Sequence, residues 1–409
     1  MKNDNELVSR LGERIRVELE GSQELRRGEP VTNAASDHWR HRFTVLLLWL
    51  AVSLILFLRQ PGAVLAPSFF AEDGKIFFKQ AYEQSFLHAL FTYYMGYLLI
   101  VPRLLAEMCC WLPLEWAPRA YAVFSLLISA ACLTFFFTNR FRTLVPSDAI
   151  RALVVIAMTF MPISAEMPFT LANIQWFLVL FGVLCTVATL PNNHFAMVGL
   201  LVAFGLAATS APALVTTLPV LGVRVWAARR QFDRLFWLVA AAIVVVYAAS
   251  AGRSVHYLGS FTGETILGLV QALGLRVVCF FVMGTKVGAA LLQGGWSLVL
   301  YLSTVAIFFM ILLGRETWKA QPIKVAILVY YVCGLPLLLI FRPAWLADFV
   351  TISDRTWAWH GRYFSTSLML LCVMMGICIA NNRLRSSRPG VLMINGLFWL
   401  GLHAFTFRL

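Results

Sequence analysis

Residues 43–58, FTVLLLWLAVSLILFL, form an uninterrupted apolar run. With its flanks this run is long enough to cross a bilayer as a helix, whereas the strands of an outer-membrane barrel alternate apolar and polar residues. The whole chain of 409 residues has the same character, with 60% apolar and 13% charged residues. A soluble domain usually carries about 25% charged residues. The composition therefore predicts an all-α integral membrane protein and argues against a soluble enzyme, a disordered protein or a fibrous repeat.

The net charge of +13 is unevenly distributed along the chain. Residues 1–42 carry eight Lys/Arg and eight Asp/Glu, so this segment is neutral and too charged early on for a cleaved signal peptide. The positive excess of residues 43–409 lies in short segments between apolar runs, which is typical of membrane orientation by the positive-inside rule. We therefore predict a cytosolic polar tail (1–42), a transmembrane domain (43–409), and no nucleic-acid partner.

The spacing of the basic clusters predicts the topology. Clusters expected on the cytosolic side include Arg40/Arg42, Arg140/Arg142/Arg151, Arg224/Arg229/Arg230/Arg234, Arg315/Lys319/Lys324 and Arg383/Arg385/Arg388. The chain must cross the membrane an even number of times between successive clusters. This predicts a polytopic bundle of about 11 helices: 43–59, 119–138, 150–165, 173–190, 194–208, 212–224, 235–250, 295–313, 323–341, 363–380 and 390–406.

The same rule predicts two external loops. Residues 60–118 form the first, with one or two interfacial helices, because Pro102, Arg103 and Glu107 would be costly inside a span. Residues 342–362 form the late external loop, and residues 251–292 are external, re-entrant or a short hairpin. The eight cysteines lie in or beside apolar segments without metal-ligand spacing, so they are interpreted as core residues.

The first external loop contains the most distinctive local pattern, SFFAEDGKIFFKQAY, at residues 68–82. Glu72 or Asp73 could accept a proton from a hydroxyl as a general base, or the two acids could simply complement the dipole of a helix N-terminus. We expect Asp73 to be the base, because Gly74 would let a substrate approach closely, with Glu72 as the competitor. No obligatory metal or other cofactor is predicted.

Aromatic and amide side chains and one carboxylate near the predicted outer face could bind a sugar or an acceptor. They are Tyr93, Tyr94, Tyr97, Glu166, Asn173, Gln175, Trp176, His360 and Tyr363. The aromatic residues among them are also typical of an interfacial belt. Arginine suits phosphate because its planar fork donates two parallel hydrogen bonds. The candidate phosphate ligands are Arg362, Arg103, Lys286 and Arg355, although Arg362 could also be an interface anchor.

Three features together resemble the GT-C glycosyltransferases, polytopic enzymes that use polyprenyl-phosphate sugars. The first is the acid pair in the first loop, the second is the hairpin AFGLAATSAPALVTTLPVL (203–221), and the third is WHGRYFS (359–365) with Arg362 and Tyr363. Ser210 and Ala211 stand where the family commonly has a basic residue. The resemblance covers residues 43–380 in architecture and implies a first-loop carboxylate as catalytic base.

The resemblance implies a function at a bacterial inner membrane, with a cytosolic N-terminus and a site facing the periplasm. A sugar would move, with inversion, from a polyprenyl-phosphate donor to a hydroxyl of a cell-surface glycan or glycolipid. Some members of the family bind a divalent cation through first-loop acids, for which Glu72, Asp73 and Glu166 could supply ligands. The alternative functions are a flippase or exporter of a lipid-linked glycan, or an O-antigen polymerase or ligase.

Overall fold

The computed structural model describes residues 34–161, 163–164, 166–251, 321–337 and 362–381, together with residues 12, 13, 15, 17, 18, 273, 276, 277 and 281. Within these ranges the chain is helical, and the only β-type pairing is an isolated bridge between Tyr94 and Tyr97. The predicted all-α class is therefore confirmed for the described part of the chain. The predicted spans 295–313 and 390–406 and nearly all of the late external loop lie outside the described residues.

Within residues 34–251 the helices follow one another along the chain with short connections. The α-helices are α1 Ala34–Arg59, α2 Gly62–Leu65, α3 Lys79–Glu83, α4 Phe86–Phe91, α5 Ile100–Cys110, α6 Ala117–Thr134, α7 Asp148–Thr159, α8 Gln175–Val187, α9 His194–Ala208, α10 Leu218–Ala227, α11 Gln231–Ala251, α12 Pro322–Leu337 and α13 Arg362–Asn381. A π-helix covers Asp73–Phe78, and 3₁₀ helices cover Phe135–Phe137, Asn139–Phe141, Met167–Phe169 and Pro212–Thr217.

Four helical stretches of the described chain are long and apolar enough to cross a membrane: Trp39–Arg59, Ala117–Phe137, Gln231–Ser250 and Arg362–Ala380. Other apolar helices, such as α8, α9 and α12, are shorter. The expected span 150–165 is also shorter than predicted, because α7 ends at Thr159 after 12 residues. A helix of that length rises only about 18 Å, less than a hydrocarbon core of about 30 Å. The count of about 11 spans is thus not confirmed.

Helix α13 lies inside the bundle, whereas α1 lies at its edge. Most of α13 is buried, and it packs against α7, α8 and α12. Its Gly376 faces Val154 of α7 with no room for a larger side chain, which is how small residues let membrane helices approach closely. Most of α1 is exposed, although the Trp49 indole donates to the Leu127 carbonyl oxygen of α6 at 3.0 Å.

The connections gather at two ends of the bundle. At one end, called here the basic end, Arg140 exchanges hydrogen bonds with Thr189, Arg224 donates to the Ala188 carbonyl, and Gln321 donates to the Thr143 carbonyl. These segments belong to three of the basic clusters that the sequence placed on one side of the membrane. Residues of the polar tail also contact this end, where the Glu18 carboxylate accepts from the backbone N–H groups of Ile323 and Lys324.

The first loop lies at the opposite end, called here the site end. It consists of the short helices α2 to α5 and the π-helix, which are more elements than the one or two interfacial helices predicted for residues 60–118. Helix α5 is tied to the hairpin after α9, because the Val101 N–H donates to the Ser210 hydroxyl at 2.8 Å. The Ser210 side chain therefore caps a first-loop helix.

Candidate functional site

Asp73 joins the first loop to the turn before α8. Its side chain is buried, and its two carboxylate oxygens accept the backbone N–H groups of Leu171 at 3.1 Å and Ala172 at 2.9 Å. The carboxylate thus bonds to a segment almost a hundred residues away in sequence. Such hydrogen bonds to a charged acceptor hold both partners in place.

The environment of Asp73 favours its neutral form despite these bonds. Burial raises the pKa of Asp73 to about 7, and the nearby charge of Glu72 adds to the rise, while the two backbone donors act in the opposite direction. A carboxyl group with a pKa near 7 is populated in both forms at neutral pH. Asp73 is therefore a titratable group whose hydrogen bonds connect the first loop to the turn before α8.

Glu72 faces the other way and is only partly buried. Its Oε1 accepts a hydrogen bond of 3.0 Å from the Tyr94 hydroxyl. Tyr94 is positioned by a tight hairpin, in which Tyr94 and Tyr97 exchange both backbone hydrogen bonds around Met95 and Gly96. Both central residues have positive φ, as a type I′ turn requires. The backbone of this hairpin therefore brings a phenol to the more open carboxylate.

The turn before α8 is organised by its own side chains. The Asn173 amide donates to the Thr170 hydroxyl at 2.9 Å, and the Gln175 amide donates to the Ala172 carbonyl at 3.0 Å. Asn173 is buried, so its amide has a fixed orientation. These bonds aim the N–H groups of Leu171 and Ala172 at Asp73 and leave the amide oxygen of Asn173 for another donor.

That donor is Arg362, the first residue of α13. Its Nη1 donates to the Asn173 Oδ1 at 3.3 Å, and its guanidinium lies 5.4 Å from the centre of the Tyr363 ring. Tyr363 in turn packs edge-to-face on Trp176 at 5.0 Å. The turn before α8 therefore contacts Asp73 through its backbone and Arg362 through Asn173.

The charge of Arg362 reaches two further groups of the site. Burial raises the pKa of Glu166, and the positive charge of Arg362 opposes part of that rise. Burial also raises the pKa of Tyr94, and Glu72 adds to the rise, whereas Arg362 again acts in the opposite direction. Arg362 is thus close enough to influence both sides of the cluster. We call this set the first-loop site: Glu72, Asp73, Tyr94, Glu166, Asn173 and Arg362.

The other residues predicted to bind a sugar or an acceptor have different surroundings. Gln175 stabilises the turn, and Trp176 has a buried indole N–H without an acceptor among the described residues. Tyr97 is half-buried and packs edge-to-face on Tyr94, whereas Tyr93 is exposed.

Arg103 does not join Arg362 in the described contacts. Its guanidinium is buried within the first loop, where it donates to the Gln80 side chain at 2.8 Å and the Ala89 carbonyl at 2.7 Å and lies over Phe77. These contacts hold α3, α4 and α5 together, and the Nε and Nη2 atoms of Arg103 are buried without a hydrogen-bond partner among the described residues. Lys286, Arg355 and His360 lie outside the described residues.

The expected role of Gly74 is wrong. A Cβ at this position would lie 2.7 Å from the Phe69 Cβ, so the space beside Gly74 is filled by the loop's own phenylalanine. The glycine permits close packing within the loop, not the approach of a substrate. Gly74 therefore gives no reason to prefer Asp73 over Glu72 as the base.

Sequence reasoning missed Thr170 and the backbone N–H groups of Leu171 and Ala172. A backbone donor leaves no trace in the side-chain pattern, and Thr170 is one of many threonines beside an apolar segment. The short polar run at Asn173 and Gln175 was the signal in the sequence that pointed to this turn.

Among the residues that the structure describes, no three His, Cys, Asp or Glu side chains lie together in an arrangement that could hold a metal ion. No protein-family model, curated protein or solved structure matches this chain. The function has to be argued from the geometry of the first-loop site.

Proposed function

We propose that this protein is a membrane glycosyltransferase that moves a sugar from a polyprenyl-phosphate donor to a hydroxyl group of a glycan or glycolipid acceptor. One observation carries the proposal: the Asp73 carboxylate of the first loop and the Arg362 guanidinium bond to the same turn, although about 290 residues separate them in sequence, and Glu72 is the chain neighbour of Asp73. A proton acceptor and a phosphate ligand on one apolar scaffold are the two groups that this reaction needs.

Glu72 is the better candidate for the general base on geometric grounds. Its carboxylate is partly exposed and is oriented by the Tyr94 hydroxyl, whereas the carboxylate of Asp73 is enclosed and already bonded to two backbone donors. A base must come within hydrogen-bond reach of the proton that it removes. Asp73 would then act as a positioning residue that holds the first loop against the turn before α8.

Arg362 is the candidate ligand for the donor phosphate. A guanidinium can bond two phosphate oxygens in parallel, and the interaction strengthens as charge develops on the leaving group. Among the described residues, the Arg362 guanidinium makes one hydrogen bond to a side chain, which is the 3.3 Å bond to Asn173. Exchanging that neutral partner for a phosphate oxygen requires no buried ion pair to be broken.

The proposed reaction is a single displacement. The acceptor hydroxyl oxygen attacks the anomeric carbon, the bond from that carbon to the phosphate oxygen breaks, and the prenyl phosphate leaves with the bonding electrons. Glu72 takes the hydroxyl proton. One displacement inverts the anomeric centre and needs one base, unlike the carboxylate pair of a retaining glycosidase.

The orientation follows from the charge distribution. Arginines and a buried lysine lie at the basic end, opposite the first-loop site. By the positive-inside rule the basic end faces the cytosol, so the site faces the outside, which in a bacterial inner membrane is the periplasm. A lipid-linked donor and a cell-surface acceptor are the substrates expected on that face.

The test is transfer of radiolabelled sugar in proteoliposomes supplied with polyprenyl-phosphate sugars and a glycan acceptor. We expect Glu72→Gln to lower turnover at least 100-fold with unchanged thermal stability, while Glu83→Gln, at an exposed acid of the same loop, retains activity. Stoichiometric release of prenyl phosphate distinguishes an enzyme from a flippase, which would move the intact donor. Full activity of both Glu72→Gln and Asp73→Asn would refute the proposed site.

A further inference from the structure

A lateral groove of about 630 Å³ opens on the side of the bundle. Its walls come from α1, α6, α8 and α9, with Val101 of α5 at one extremity and Arg42 of α1 at the other. The lining is almost entirely apolar, with residues such as Leu46, Trp49, Ile128, Phe135, Leu178 and Phe181. A volume of this size is typical of a ligand site.

Polar groups occur at the Arg42 extremity of the groove. Arg42 is exposed, and its guanidinium has no hydrogen-bond or ion-pair partner among the described residues. Thr134 also lines the groove, is 2% exposed, and has a hydroxyl without a partner in the described part of the chain. A cation and a free buried hydroxyl at the mouth of an apolar channel suit an amphiphile with an anionic head.

The position of Arg42 separates this groove from the proposed donor site. Arg42 lies 17 residues before Arg59 on α1, which corresponds to about 25 Å along the helix. The groove mouth is therefore at the basic end, where the neighbouring His41 lies 3.9 Å from the Asp148 carboxylate, whereas Glu72 and Arg362 lie at the site end. A headgroup bound at Arg42 would be in the other leaflet from the proposed phosphate of the sugar donor.

We propose that this groove binds one acyl chain of an anionic phospholipid, with the lipid phosphate on Arg42. The apolar walls accommodate the chain, and the charge of Arg42 selects an anionic headgroup over a zwitterionic one. An arginine at a membrane surface contributes about 1 kcal/mol toward anionic lipid, which corresponds to about a fivefold preference. The inference does not depend on the glycosyltransferase proposal, because no group of the first-loop site takes part.

The experiment is native mass spectrometry of delipidated protein titrated with dioleoyl-phosphatidylglycerol or dioleoyl-phosphatidylcholine. We expect one phosphatidylglycerol per chain to bind about fivefold more tightly than phosphatidylcholine. Arg42→Gln should reduce the affinity for phosphatidylglycerol to the level of phosphatidylcholine. Arg40→Gln is the matched control, because Arg40 lies one half-turn away on the same helix, is exposed and does not line the groove.

A second variant tests the apolar part of the groove. Ala131→Phe places a ring in the channel from an exposed position of the lining and should weaken the binding of both lipids. Equal affinity of the wild type for the two lipids, or equal effects of Arg42→Gln and Arg40→Gln, would overturn the proposal. So would a bound prenyl phosphate in protein as purified that Ala131→Phe removes, since the groove would then belong to the sugar carrier.

Discussion

Arginines at the two ends of this bundle have opposite surroundings. At the basic end, Arg224 is buried and donates to the backbone carbonyls of Thr186 and Ala188 at the C-terminal end of α8, with Trp237 beneath its guanidinium. At the site end, Arg362 begins a helix and donates to one side-chain amide. Arginine at a helix C-terminus stabilises the fold, whereas an arginine among carboxylates and an amide is available for a ligand.

The largest expected effect is that of Arg362→Gln on activity. Loss of the guanidinium removes the proposed charge stabilisation of the leaving phosphate, so we expect turnover to fall about 100- to 1000-fold. Sugar transfer in proteoliposomes measures it, with thermal unfolding as a check on the fold. Arg362→Lys should recover only part of the activity, because an ammonium group lacks the planar fork. If Arg362→Gln lowers thermal stability but keeps full activity per folded molecule, the role of Arg362 is structural, like that proposed for Arg224, and the proposed phosphate contact is wrong.

The opposite outcome is expected for Arg224→Gln at the basic end. Its two charge-assisted hydrogen bonds to backbone carbonyls are buried, and their loss should lower the free energy of unfolding by about 3 kcal/mol. Thermal unfolding in nanodiscs measures this change. Arg230→Gln is the control, because its side chain is exposed and bonds only to Asn192 in the described contacts. Equal stability of the two variants would contradict the structural role of Arg224.

A third prediction concerns pH and Asp73. Because its pKa is about 7 in the folded protein and about 4 in the unfolded chain, the folded state binds the proton more tightly. This stabilisation is complete below about pH 4 and is lost as the pH rises through about 7. We expect the wild type to lose about 2 kcal/mol of stability between pH 5.5 and 8, relative to Asp73→Asn.

Thermal unfolding at the two pH values checks this prediction. Glu166→Gln is the matched control, because burial also raises the pKa of Glu166. This variant should keep the pH-dependent loss of stability that is due to Asp73. If the stabilities of the wild type and Asp73→Asn depend on pH in the same way, Asp73 is not the group whose titration changes the stability.

The smallest expected effect is that of Ser210→Ala. This hydroxyl accepts the Val101 N–H near the start of α5, and loss of such a cap usually costs about 1 kcal/mol. Because α5 carries no residue of the first-loop site, turnover of the folded variant should stay close to that of the wild type. Hydrogen exchange at residues 100–103 should increase while exchange in α13 does not. Unchanged exchange at α5 would contradict the capping role.

The sequence predicted well those features that depend on local composition. The apolar runs predicted the helical class, and the basic clusters predicted segments that meet at one end of the bundle. That the pair Glu72–Asp73 marks the loop with the functional site stays a prediction. Sequence reasoning failed where the outcome depends on contacts distant in sequence. Nothing local separates the buried Arg103 from Arg362, and the space beside Gly74 is filled by Phe69.

By itself, therefore, the sequence determined that the chain is a helical membrane protein whose first loop carries a pair of acids, because hydrophobicity and charge act over a few neighbouring residues. The tertiary structure alone determined which acid is enclosed and which is open. Asp73 is enclosed because the backbone N–H groups of Leu171 and Ala172 reach it, and Glu72 stays accessible beside Tyr94. Adjacent side chains point in different directions, and only the packing of distant segments decides which direction is inward.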